Sequence, residues 1–331
     1  MKQRLDYIDV MKGFAILLVT MGHVFLQYTE ESQSHPVAQM IYSCHMSFFF
    51  FLSGFLLYKT HCLTTKGLKP FIIKKLQTLI LPWISFTLFV PLILNRGYEY
   101  EVDYSKFNPY PVNGYWFLPI LFCFMMLWLV GKIISKRIKE RARYMELLIN
   151  AFIIFALLGI GFFYHLYHFI IWAIYYAVFF FGYVLSGSDT IERLLLKKWV
   201  YGASALVLII SWKLGPIDTL GGIPWRSLIN LCWNAVCSIT ACVCFFNLFL
   251  FIQMPTIVKT YLQKTGKLSL CIYLIPVTVL PSDFVFPEWM SLSLINILIL
   301  IISLLVNYIR YSIGFVIFEI PVLRFILFGK K

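Results

Sequence analysis

The side chains of this chain suited to acid–base chemistry gather near its start. Asp9, Lys12 and Gly13 open an apolar stretch that carries His23 further in. A second apolar stretch reads Cys44-His45-Met46-Ser47, then Phe48 to Phe51, then Ser53-Gly54-Phe55. Imidazole titrates near neutrality, so a histidine in apolar surroundings suits proton abstraction or relay. On a helix, the eleven residues from Lys12 to His23 make three turns plus about 20°, so both point to one side, about 16 Å apart along the axis. Asp9 lies one turn before Lys12 on nearly the same side. Lys12, with Lys74 and Lys75 further on, has the charge to hold phosphates.

These residues need elements to hold them. Of 331 residues, 60% are hydrophobic and 13% charged, against about 45–50% and about 25% in soluble domains. The mean hydropathy is +0.82. This excludes a soluble globular enzyme, a disordered chain and a disulfide scaffold. The expected class is an all-α integral membrane protein of about ten transmembrane helices. The spans fall near 10–29, 38–58, 76–95, 115–131, 147–163, 169–187, 199–213, 226–252, 268–287 and 292–313, the seventh being short for a crossing. Residues 1–331 read as one transmembrane domain without a separate soluble one. The first apolar stretch is expected to be a span and not a cleaved leader, because Asp6, Asp9, Lys12 and His23 interrupt it and a second span follows.

The formal charge is +13. In a soluble protein that excess would suggest nucleic acid; here topology accounts for it. With both termini cytoplasmic, 24 of the 28 Lys and Arg fall inside, Arg310 among them as part of the C-terminal tail. Only Arg96, Lys106, Lys213 and Arg226 fall outside, the asymmetry that orients membrane proteins. The basic run from Lys132 to Arg143 is then a topology anchor. His23 and His45 sit on consecutive antiparallel helices, each about 10 Å below the outer surface.

Bland readings exist for each residue. A lone intramembrane histidine can serve as a helix–helix hydrogen bonder, and Ser53-Gly54 as a small-residue packing site. His35 and His61 read as solvated loop residues. Two histidines at matched depth, with Asp9 and Lys12 on the same side, favour chemistry. Cys242 and Cys244 face different ways on a helix, and no metal site is expected.

At these residues the chain resembles the membrane-bound acyltransferase family 3, and within it the bacterial fucose 4-O-acetylase-like branch. The resemblance rests on Asp9, Lys12-Gly13 and His23 in the first helix. In the second it rests on His45-Met46 through Ser53-Gly54-Phe55. Weaker matches are Lys74-Lys75 before Leu81-Pro82-Trp83, Trp116-Phe117-Leu118 and Phe181-Gly182-Tyr183. The chain departs from the pattern at Lys12, where many members have arginine, and at Pro276, where a similar segment often ends in histidine. The resemblance implies transfer of an acyl group, usually acetyl, from acetyl-CoA or another acyl-CoA. The acceptor would be a hydroxyl of a cell-surface or lipid-linked glycan, in the bacterial plasma membrane. His23 would be the base or acyl carrier, assisted by His45, with Asp9 fixing Lys12. Lys12, Lys74 and Lys75 would hold the donor's phosphates, and Ser53 would donate to the thioester oxygen. The rival reading is a proton-coupled secondary transporter using the two histidines, but repeated halves with matching broken helices are not evident.

Overall fold

The computed structural model describes residues 6–29, 35–59, 67–90, 115–137, 142–164, 166–195, 197–214, 224–277, 279–281, 284–287 and 289–330. Among them every regular element is a helix. Among the described residues, eight helices are long and apolar enough to cross a bilayer. They are α1 (Asp6–Tyr28), α2 (Pro36–Lys59), α3 (Leu68–Leu88), α4 (Phe117–Lys136), α5 (Ala142–Phe163), α6 (Tyr167–Ser186), α9 (Pro224–Phe251) and α12 (Leu292–Glu319). Shorter helices are α7 (Asp189–Leu195), α8 (Lys198–Leu214), α10 (Thr256–Lys267), α11 (Ser269–Leu274) and α13 (Pro321–Phe328). The chain is a multi-pass, all-α membrane protein.

Of the ten expected spans, the seventh is short, as expected, and the ninth differs. The seventh is α8, whose 17 residues rise about 25 Å, short of the roughly 30 Å hydrocarbon core. The ninth is broken. α11 has six residues and stops at Leu274, after which Ile275 is extended at ψ 114°. Pro276 is the cause: its ring disfavours the α conformation in the residue before it. Proline also shapes α3, which widens to π-helix at Leu76–Ile80 and again from Ser85 to its end. Pro82 has no N–H to give to Thr78 and crowds that carbonyl, so the helix loosens around it.

The chain divides into two compact units, Met1–Leu52 with Ser188–Val316 and Ser53–Gly187 with Ile317–Lys331. In the first, α1 is the hub and buries residues on most of its faces from Ile8 to Tyr28. α2 runs antiparallel to it: the Tyr42 hydroxyl donates to the Gly22 carbonyl at 2.5 Å, and Phe25 meets the His35 ring at 4.6 Å. α9 lies parallel to α2, with Ser47 donating to Ser238 at 3.0 Å and Phe51 against Phe246. α10 crosses α1 at two glycines. A Cβ on Gly13 would strike the Leu262 carbonyl, and one on Gly266 the Asp9 carbonyl. Contact this close needs residues without side chains. Beyond the break, the Phe286 N–H donates to the Tyr28 carbonyl at the far end of α1. From there α12 runs back down, setting Asn307 beside Thr20 and Gly314 beside Cys271.

The second unit packs α4, α5 and α6 together. Tyr176 donates to Asn150, whose amide donates to the Glu146 carbonyl. Gly54, at the end of α2, lies against the Phe179 carbonyl, which supports the packing reading of Ser53-Gly54. α13 docks on α3: Ser85 donates to the Ile326 carbonyl at 2.7 Å and Phe86 meets Phe328 at 5.5 Å. Gly329 ends α13 at φ 61°, with its backbone against the Gln77 carbonyl, a left-handed position with no room for a Cβ. Phe152 and Phe155 of α5 are exposed, as a lipid-facing helix requires.

Candidate functional site

The first unit assembles His23 of α1, His45 of α2 and Arg310 of α12. Gly22 is level with Ile41 and Tyr42, whose side chains lie within 3.4 to 3.5 Å of where its Cβ would be. His45 is therefore about one turn further along α2 than His23's own level. Helical side chains lean toward their N-terminus. In an antiparallel pair the two rings thus lean toward each other, and they interact electrostatically. The His45 Nδ1 lies 2.7 Å from the Ile41 carbonyl and 5.4 Å separates its ring from that of Tyr42. A carbonyl only accepts, so Nδ1 carries the hydrogen and the neutral ring keeps its lone pair on Nε2. His23 itself is exposed at the surface of the first unit.

Arg310 completes the group. Its guanidinium donates to the Val277 carbonyl from Nε at 3.3 Å and Nη2 at 2.9 Å, and from Nη1 to the Ile272 carbonyl at 3.4 Å. These belong to the segment that Pro276 interrupts. Backbone released from a helix at membrane depth must find partners, and Arg310 is the partner. It also interacts electrostatically with His23. Its backbone lies one turn beyond Asn307, which accepts a hydrogen bond from Thr20 at 2.7 Å. That sets Arg310 near the middle of α1's length, not in the C-terminal tail where the charge count had put it. Intramembrane arginines commonly pair with backbone carbonyls and mark functional positions.

The remaining candidates fall out as follows. Lys12 is half-buried and Asp9 buried, where α10 crosses α1. The unbroken α1 keeps Lys12 on the His23 side, as the spacing requires. Ser53, Lys74 and Lys75 belong to the second unit. There Lys74 is exposed and the Lys75 ammonium lies 5.6 Å from the Phe71 ring centre. His35 is not solvated. It is buried against Phe25, and its Nδ1 accepts the Val37 N–H at 3.2 Å, capping α2 ahead of Pro36. Burial lowers its pKa from the usual value. His61 lies outside the described residues.

Arg310, Asn307 and Thr20 are the polar residues that sequence reasoning passed over. A signal for two of them exists: Asn307 and Arg310 are three apart, hence on one face, inside a mostly apolar run. Ending the last span near 313 hid this, because it made Arg310 a boundary charge.

The comparisons bear on what this group does. No curated protein and no solved structure matches the chain. A family model described as an acyltransferase domain matches residues 5–311, a stretch that holds α1, the Pro276 break and Arg310. The chain belongs to the acyltransferase 3 family.

Proposed function

We propose that the protein is an O-acetyltransferase of the bacterial plasma membrane. It moves an acetyl group from acetyl-CoA to a hydroxyl of a cell-surface or lipid-linked glycan. The observation that supports this reading best is the grouping of His23 with His45 and Arg310 inside the first unit. His23 takes the proton of the acceptor hydroxyl as its oxygen attacks the thioester carbonyl. The carbonyl becomes a tetrahedral oxyanion, and the fixed charge of Arg310 stabilises it. The C–S bond then breaks, and His23 returns its proton to the departing thiolate. His45, with Nδ1 tied to Ile41, presents Nε2 to orient His23 or the acceptor. Lys12 attracts the donor's phosphates at the other end of the α1 face, and buried Asp9 fixes Lys12. Lys74, Lys75 and Ser53 supply cationic and hydroxyl groups on the second unit.

The test is transfer in proteoliposomes, following label from acetyl-CoA into glycan and checking by mass spectrometry that the product gains one acetyl group. His23→Ala should lower the rate by about 10²–10⁴, the usual contribution of a positioned base, with expression and unfolding midpoint unchanged. Unaltered transfer in that variant would remove His23 from the chemistry. Absence of coenzyme A-dependent product from the wild type would remove the donor.

A further inference from the structure

A second polar centre lies wholly within the second unit and takes no part in the chemistry above. Lys132 of α4 donates to Glu146 of α5 at 2.7 Å and to the Tyr183 hydroxyl of α6 at 2.9 Å, tying three helices at one level. Beside this pair is a cavity of about 290 Å³, walled by Glu146 and Tyr183 and rimmed by Lys136 and Arg143. The Arg143 guanidinium donates to the Gly187 carbonyl at 2.8 Å, which orders it at the rim without reducing its charge. Glu146 is 6% exposed, and its Oε1 has no hydrogen-bond partner among the described residues.

Two features select a ligand. Lys132, Lys136 and Arg143 outnumber Glu146, so the cavity carries a net positive charge of two. An anion is favoured, and phosphate is the anion that Lys and Arg together bind best. The orphan carboxylate oxygen, in contrast, needs a hydrogen-bond donor, since leaving it unpaired is costly. A ligand ammonium would supply one but would lie against Lys132. A neutral hydroxyl next to the phosphate satisfies both. The volume sits at the lower edge of the roughly 300–1,000 Å³ that drug-sized ligands occupy, so the site holds a headgroup-sized fragment.

We propose that the cavity between α4, α5 and α6 binds a phosphoester bearing a free hydroxyl. Its phosphate sits on Lys136 and Arg143, and its hydroxyl donates to Glu146. Two sources carry this chemistry: the headgroup of a glycerophospholipid such as phosphatidylglycerol, and a small soluble ester such as glycerol phosphate.

Thermal unfolding of the full chain in a neutral detergent tests the proposal. Short-chain phosphatidylglycerol, phosphatidylethanolamine, phosphatidylcholine and glycerol phosphate are titrated separately. Phosphatidylglycerol is expected to raise the midpoint saturably, at concentrations where the other two lipids do not. A matching response to glycerol phosphate identifies the soluble source, and a response to the lipid alone identifies the headgroup. The double variant Lys136→Gln, Arg143→Gln changes two exposed side chains, so it should fold normally by circular dichroism and size exclusion. It should bind at least about tenfold more weakly, the loss expected from one or two charged hydrogen bonds. Equal responses to phosphatidylglycerol and phosphatidylcholine would overturn the proposal. So would unchanged affinity in the double variant, or no response to either phosphoester.

Discussion

Gly266→Ala probes the crossing on which the first unit is built. The ideal Cβ at position 266 falls on the Asp9 carbonyl oxygen and close to the Gly13 nitrogen. Both are backbone atoms, so no rotamer change can relieve the overlap. Carbon and its neighbours settle at about 3.5–4.0 Å, and α10 would have to retreat on the order of 1–2 Å from α1. Overpacking in a closed interior costs typically 1–3 kcal/mol. A backbone-on-backbone clash belongs at the upper end, about 3 kcal/mol. At roughly 2–4 °C per kcal/mol, that is a fall of about 6–12 °C in unfolding midpoint. Helix propensity acts in the opposite direction, since alanine is favoured over glycine by about 0.5–1 kcal/mol. Gly159→Ala on α5 and Gly202→Ala on α8 isolate that effect, because a Cβ at either position meets nothing within 4 Å. They should hold or raise the midpoint. The assay is thermal unfolding of the four purified proteins in one detergent, each read by circular dichroism. If Gly266→Ala unfolds with the two controls, α10 does not lie against α1 as described. A retreat of α10 would also disturb Asp9, so transfer should fall in Gly266→Ala and survive in the controls.

Further outcomes follow from the same geometry. Arg310→Gln should lower kcat by about 10²–10³ with KM little changed, since a charge on the oxyanion acts in the transition state. Arg310→Lys keeps the charge but loses the fork to Ile272 and Val277, and should fall less. A raised KM with unchanged kcat in Arg310→Gln would assign Arg310 to binding instead. At His35 the folded pKa lies below its ordinary value of about 6.5. The unfolded chain therefore binds the proton first on acidification. The stability His35 contributes is full above pH 6.5 and is lost as pH falls toward the folded pKa. His35→Asn keeps a capping acceptor ahead of Pro36 and removes the titration, so its unfolding midpoint should vary less between pH 7 and pH 5 than the wild type's. An equal slope in both proteins would place the acid sensitivity elsewhere.

The class of fold was legible because the constraint behind it is blunt. A backbone in hydrocarbon must satisfy its own hydrogen bonds, and long apolar runs can do so only as helices. Eight of ten expected spans are helices long enough to cross. The seventh is short, as its sequence already indicated, and the ninth breaks where hydropathy is a poor guide. Residues 268–287 are apolar throughout the first half, and nothing in a hydropathy window registers that Pro276 stops α11 after Leu274. Glycine was equally mute. Gly13 reads as one letter of a short motif, and only the partner helix shows that it lies against Leu262, some 250 residues later.

The misplacement of Arg310 has the same root. A charge count assigns each basic residue to a face by its distance from a span's end, which holds while spans are regular. Here the chain breaks a helix at Pro276, and the break releases carbonyls at Ile272 and Val277 that only a strong donor can satisfy inside a membrane. The proline and the arginine are two halves of one arrangement. The cation is tolerated because the carbonyls need it, and the carbonyls stay exposed to it because the proline forbids their helix. Once fixed in that way, Arg310 has little freedom to follow a substrate. It presents His23 with a positive charge whose place is set before any ligand arrives. A preset charge of this kind stabilises a developing anion without reorganising at the moment of reaction. The structural role at Val277 and the proposed catalytic role at His23 are therefore consequences of a single constraint.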